Sequence, residues 1–133
     1  MTPRGSRVLL DTHTFLWWLD GDRRLTKKPR GIIADATTVV FVSAATAWEI
    51  TKKHRLGKLP GAAAVAADVI ACVRSQGFTP LAITLDHGQR AGMLPGPHRD
   101  PFDRMLIAQA QADRLAVVSN EEIFDSYGVT RLW

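Results

Sequence analysis

The chain has 133 residues, 46% of them hydrophobic, and 17 Lys and Arg against 13 Asp and Glu give it a formal charge of +4. That length suits one domain with a substantial core and excludes two of ordinary size, so residues 1–133 are expected to form a single domain. The solitary Cys72 excludes an intrachain disulfide and no apolar run reaches membrane-spanning length, which together predict a chain of the reducing cytoplasm with no membrane partner.

From Met1 to Arg7 the chain is basic, with no apolar segment of signal-peptide length. Five runs rich in apolar and β-branched residues then read as strands: Val8–Leu10, Thr38–Val42, Phe78–Thr84, Leu115–Ser119 and Val129–Trp133. Helical patterns fill the gaps. Ser43 is placed to cap a helix running to about Leu56, with Gly57 available for a left-handed turn beyond it. Val65 to Val73 reads as helix interior and puts Cys72 in the role of a small core residue. Asp86 is expected to start a short helix through Met93, and Asp100 to cap another, with Pro101 at its first position where a missing N–H costs nothing. Strands apolar at nearly every position, separated by helical crossovers, predict a mostly parallel sheet covered on both faces, in a three-layer α/β/α architecture.

Four acids stand out against this frame. Asp11 closes the first strand, Glu49 lies inside the helix after the second, Asp103 falls in the first turn of the helix capped by Asp100, and Glu121 follows the fourth strand. Open parallel sheets build their sites at such strand ends. Setting these four aside leaves 17 basic residues against 13 − 4 = 9 acidic ones, a basic body suited to a polyanion. Convergent carboxylates repel one another unless a cation or a raised pKa intervenes, and Mg²⁺ or Mn²⁺ takes hard oxygen ligands of this kind.

Each acid also has a plain structural role open to it. Asp11 can cap a helix starting near His13, Glu49 can pair with Lys53 four residues on, Asp103 favours a helix start, and Glu121 can line the first turn of a short helix capped by Ser119 or Asn120. Lys52 and Lys53 sit where cations favour a helix's negative end, or they meet phosphate. Arg99 and Arg104 either meet phosphate or neutralise Asp100 and Asp103. Trp17 and Trp18 read as core or interface residues, and the four histidines, without paired zinc spacing, as surface or loop residues.

The order Leu9-Leu10-Asp11-Thr12-His13, then Ser43 with Trp48-Glu49-Ile50 and Lys53, then His98 through Ala110 (HRDPFDRMLIAQA), then Val118-Ser119-Asn120-Glu121 resembles PIN-domain proteins of the VapC toxin type. The resemblance implies a metal-dependent endoribonuclease using one or two Mg²⁺ or Mn²⁺ ions, a homodimer, an RNA substrate, and a small VapB-like antitoxin as partner. It implies a five-stranded sheet of order 3-2-1-4-5. Asp11, Glu49 and Asp103 match the family's principal acids. Glu121 falls where a fourth acid, most often Asp, is usual. Thr12 and Ser119 resemble hydroxyls that hold carboxylates or waters, and Arg104, Lys52 and Lys53 are candidates for phosphate contact.

Two competitors stand beside that expectation. A phospho-accepting receiver-like domain expects an adjacent acidic pair after the first strand, whereas Asp11 stands alone. An inactive PIN-like domain acting through RNA or antitoxin binding is the other.

Overall fold

A computed structural model describes residues 6–133, so the first five residues of the basic N-terminal stretch lie outside it. Strand β1 (Arg7–Leu10) leads into helix α1 (Thr12–Asp20) and helix α2 (Lys27–Ala34). Next come β2 (Val39–Ser43), α3 (Ala44–Arg55), the short helices α4 (Ala63–Ala67) and α5 (Val69–Ser75), and β3 (Thr79–Leu81). The chain continues through α6 (Leu85–Met93), α7 (Pro101–Asp113), β4 (Ala116–Val118), a 3₁₀ helix (Glu122–Tyr127) and β5 (Arg131–Leu132).

The five strands form one sheet of order β3-β2-β1-β4-β5, and all four pairings are parallel. Alternation along the central strand shows how three layers arise. Val8 and Leu10 enter one core with Phe15, Ile32, Ile33, Ile50, Val69 and Val73. Leu9, between them, points the other way into a core with Leu106, Ile107, Ala110 and Phe124. Val8, Leu9 and Leu10 are all fully buried because helices cover both faces. On β4 the same alternation sends Val118 to the first core and Val117 to the second.

Order 3-2-1-4-5 has a switch point at β1, from which the chain builds outward first to β2 and β3 and then, on the other side, to β4 and β5. The crevice beyond the carboxyl ends of β1 and β4 is where such sheets hold ligands. It is closed by local chemistry: the Thr14 hydroxyl donates to the Val118 carbonyl at 2.9 Å, and the Asp11 amide approaches the same carbonyl at 3.4 Å.

Several sequence expectations need correction. The edge strands are shorter than predicted: β3 covers only Thr79–Leu81 and β5 only Arg131–Leu132. Pro80 is tolerated because β3 is an edge, where one face of the backbone lacks a partner strand. The predicted helix from Val65 to Val73 breaks at Asp68, whose backbone leaves the helical region (φ −157°, ψ 82°) and whose carboxylate caps α5 through the Ala71 amide. Cys72 packs half-buried against the first core. Helix α6 is capped by Thr84 and not by Asp86, which lies in its first turn. Its capping box is unusual in using His87: the Thr84 hydroxyl accepts from the His87 amide, and the His87 ring accepts from the Thr84 amide at 3.0 Å. His87 is therefore a buried structural residue, 2% exposed, and not a surface histidine.

Candidate active site

Asp11 occupies the cap position of α1, and its Oδ1 accepts the Thr14 amide at 2.8 Å. Its other oxygen, Oδ2, accepts the Ser119 hydroxyl from the end of β4. The structural role considered for Asp11 and its placement at the switch point therefore coexist in one side chain. Ser119 also accepts the Glu121 amide at 2.9 Å, so one buried hydroxyl fixes the start of the segment that carries the fourth acid.

Glu49 reaches the same crevice from the second turn of α3, a helix begun where the Ser43 hydroxyl accepts the Ala45 amide. It is 6% exposed. Its Oε1 accepts the Thr12 hydroxyl at 2.5 Å, and its Oε2 is engaged by the Lys53 ammonium. Burial works to lower the Lys53 pKa, but the hydrogen bond to Glu49 and the charges of Glu49, Asp100 and Asp103 outweigh it and hold the ammonium protonated. Lys53 is thus committed to Glu49.

Asp103 projects from the first turn of α7, which Asp100 caps through the Phe102 and Asp103 amides. His98, five residues earlier, meets Asp103 Oδ2 at 2.9 Å. Burial raises the Asp103 pKa, the His98 hydrogen bond pulls it back, and the charges of Asp100 and Glu49 push it up again. Glu121 is raised as well: burial acts first, then the charges of Asp103 and Asp11, against a lowering influence from His13, whose Nδ1 is 3.7 Å from its carboxylate. The charge of Glu49 is thus felt at Asp103, and the charges of Asp103 and Asp11 at Glu121.

Among the described residues, no three His, Cys, Asp or Glu side chains stand close enough together to hold one ion. Buried Asp11 and Glu49 and part-buried Asp103 are each instead engaged by a local donor: Ser119 on Asp11, Thr12 and Lys53 on Glu49, His98 on Asp103. The chemistry of the donor set fits a hard divalent cation, since all four acids offer oxygen and the raised Asp103 and Glu121 register repulsion that such a cation relieves.

The expected phosphate contacts divide. Lys52 is exposed, its ammonium 5.7 Å over the Phe102 ring. Arg104 is unsuited, because its three guanidinium nitrogens donate to the carbonyls of Ala91, Leu94 and His98 and so tie α7 to the last turn of α6 and to the loop between the two helices. Among the described residues it makes no ion pair with Asp100 or Asp103. Trp17 and Trp18 pack at the margin of the first core, Trp17 edge-on to Trp133 and Trp18 against Phe78. Sequence reasoning missed His98, His13 and the buried Thr46, whose hydroxyl lies 3.4 Å from that of Thr12. Their signal was proximity alone: His13 follows Asp11-Thr12 directly, and His98 opens the stretch that holds Asp103.

A five-stranded parallel sheet of this order, with acids from β1, α3, α7 and the exit of β4 around its switch point, describes a PIN-like α/β/α fold. The family model for the PIN domain matches residues 8–129, and the chain belongs to that family. Ribonuclease VapC16 of Mycobacterium tuberculosis (strain ATCC 25618 / H37Rv) is 40% identical over 62 residues, which make up 47% of this chain and 43% of that protein. The matched stretch therefore spans less than half of that relative's length. The crystal structure of VapBC2 from Rickettsia felis, bound to a DNA fragment from their promoter, contains a chain of the same fold, with a TM-score of 0.63 and 12% identity over 94% of this chain and 96% of that one.

Proposed function

We propose that the chain is the toxin of a type II toxin–antitoxin pair, an endoribonuclease that works with one or two Mg²⁺ or Mn²⁺ ions at Asp11, Glu49, Asp103 and Glu121. The observation that carries the reading is the convergence of these acids on the crevice at the switch point, where burial and mutual charge raise Asp103 and Glu121. A bound divalent ion supplies charge stabilisation at a phosphoryl oxygen and a more nucleophilic water. Asp11, Asp103 and Glu49 would hold it by turning from the donors that now engage them toward one point, and Glu121 would hold a second ion or a water.

The chain's own groups do the positioning. Ser119 and the Thr14 amide fix the two oxygens of Asp11, and Thr12 fixes Glu49. His98 holds Asp103 in its ion-free position. Exposed Lys52 is the lysine left to meet an RNA phosphate, since Lys53 is bound to Glu49. The likeness to VapC16 supports RNA as substrate, and the fold shared with the VapBC2 complex supports a VapB-like antitoxin as partner. A single PIN domain, a homodimeric state and a cytoplasmic location complete the proposal. Among the described residues no helix is long and apolar enough to cross a membrane.

The test is cleavage of RNA by the purified chain with Mn²⁺ or Mg²⁺ and with EDTA. Asp11→Asn should abolish cleavage and leave the fold intact, because Asn caps helices about as well as Asp. Full activity in that variant would remove Asp11 from the mechanism.

One observation favours a second reading, an inactive PIN-like domain acting through RNA or antitoxin binding: Glu49 is already neutralised by Lys53. Calorimetric titration with Mn²⁺ separates the two. An active enzyme binds the ion and loses it in Asp11→Asn, whereas an inactive relative binds none and keeps its partner affinity without Asp11.

A further inference from the structure

At the end of the sheet opposite the carboxylates, a cleft of about 570 Å³ opens beside the starts of β1 and β4. Its volume falls within the roughly 300–1,000 Å³ of small-ligand sites. Half-buried Ala116 and Leu132, with the nearly buried Leu115 and Val129 beneath them, contribute an apolar floor. The charged lining has one sign: Arg7, Lys28 and Arg114, with no Asp or Glu among the lining residues. Asp113, the acid next to Arg114, lies outside the lining and turns its carboxylate to His87 Nε2 at 3.0 Å, while its carbonyl accepts from Arg7 at 3.4 Å and the Arg7 guanidinium also lies 5.4 Å over the Phe41 ring. The side chains of Lys28 and Arg114 have no hydrogen-bond or ion-pair partner among the described residues.

One backbone feature adds to this positive field and a second sets Arg114 apart, although the end of α7 from which Arg114 projects carries the helix's negative pole. Lys28 lies in the first turn of α2, a helix start at which Thr26 makes no side-chain cap, so its amides and dipole are directed outward. Arg114 ends α7 in the left-handed region at φ 54°, alone among the described non-glycine residues. Glycine is the usual residue there. A cation near a helix's negative end is favoured from any ordinary backbone position, so the dipole does not explain an arginine held at this one.

We propose that this cleft binds a mononucleotide, its phosphate held between Arg7, Lys28 and Arg114 and its base laid on the apolar floor. The site is separate from the carboxylates and does not depend on a divalent ion. Calorimetric titration of the full chain with adenosine monophosphate, in EDTA, should show saturable binding that adenosine does not match. Arg114→Gly and Lys28→Ala should each weaken it by about tenfold, the loss of one charge-assisted contact.

Because Arg114→Gly also relieves an unfavourable backbone conformation, its melting temperature should hold or rise, and a loss of affinity then reports on the cleft itself. Asp11→Asn should bind the nucleotide as the unaltered chain does. The proposal is overturned if adenosine binds as tightly as its monophosphate, if neither basic substitution changes the affinity, or if Asp11→Asn abolishes binding.

Discussion

Ser119, the residue after β4, donates its hydroxyl to Asp11, the residue after β1, and so joins the two strands at which the sheet changes direction. The bond is fully buried on the serine side. Replacing Ser119 by Ala leaves Asp11 Oδ2 and the Glu121 amide without that partner. We expect a loss of about 1–3 kcal/mol in stability, the cost of buried polar groups left unsatisfied, together with reduced RNA cleavage in protein that still folds. Urea denaturation and a cleavage assay on the same preparation check both halves. Unchanged stability would mean that water replaces the hydroxyl without loss.

On the proposed function, Lys53 would compete with the ion for Glu49, whose carboxylate it already engages. Lys53→Met keeps the helical stem and removes the charge, so Mn²⁺ affinity measured by calorimetry should rise severalfold while ion-free stability falls. Glu49 is buried and would keep only the Thr12 hydroxyl, so the loss should be about 1–3 kcal/mol, the cost of a buried charged group left short of a partner. A weaker Mn²⁺ affinity in this variant would show that the ammonium assists the site.

The pH dependence has a definite sign. Asp103 and Glu121 both carry raised pKa values, burial being the leading cause in each case. The folded chain therefore holds protons that the unfolded chain has released, and ionisation of these acids opposes folding. That opposition is complete above the raised values and is relieved as pH falls through them toward 3.8 for Asp103 and 4.5 for Glu121. In EDTA, acidification from neutrality should lower the stability of the unaltered chain less than that of Asp103→Asn or Glu121→Gln, while at neutral pH these variants should melt higher. Thermal scans across the acid range decide it, and parallel profiles for all three proteins would refute the assignment.

His87 is buried between the Thr84 amide and the Asp113 carboxylate, and so ties the start of α6 to the end of α7. His87→Ala should cost about 2–3 kcal/mol through the lost cap and the polar groups left unpaired. Cleavage per folded molecule should be unchanged, because the residue lies outside the carboxylate crevice. A large fall in activity of the folded fraction would instead tie α6 to catalysis.

Layering was legible where the sequence was unambiguous, whereas the order of the strands followed only from the resemblance to PIN domains. Val8-Leu9-Leu10 is apolar at each position because neighbours cover both faces, and Ser43 and Asp100 announced helix starts that the structure contains. The short edge strands were overextended, since residues such as Ile83 and Thr84 have β-like composition but no neighbour with which to pair. The break at Asp68 was hidden by alanines and valines that are apolar on every face, leaving no period to interrupt.

Around the acids, residue types suggested the cluster, but which donor meets which oxygen depends on contacts between segments distant in the chain. Thr12 to Glu49 and Ser119 to Asp11 cross 37 and 108 residues. Arg104 carried the opposite lesson: a guanidinium beside two aspartates looked available to phosphate, while the carbonyls of the preceding loop, invisible in a string of letters, claim it.

The local duties of the acids also set an order in which they would disappear if selection for chemistry were relaxed. Asp11 begins a helix and binds across the sheet, so a lineage that had ceased to cut anything would still keep an acceptor there. Glu121 has no comparable employment and is uncomfortable where it stands. Erosion in degenerate descendants should start with Glu121, and the residue at position 11 should be the last trace of the ancestral trade.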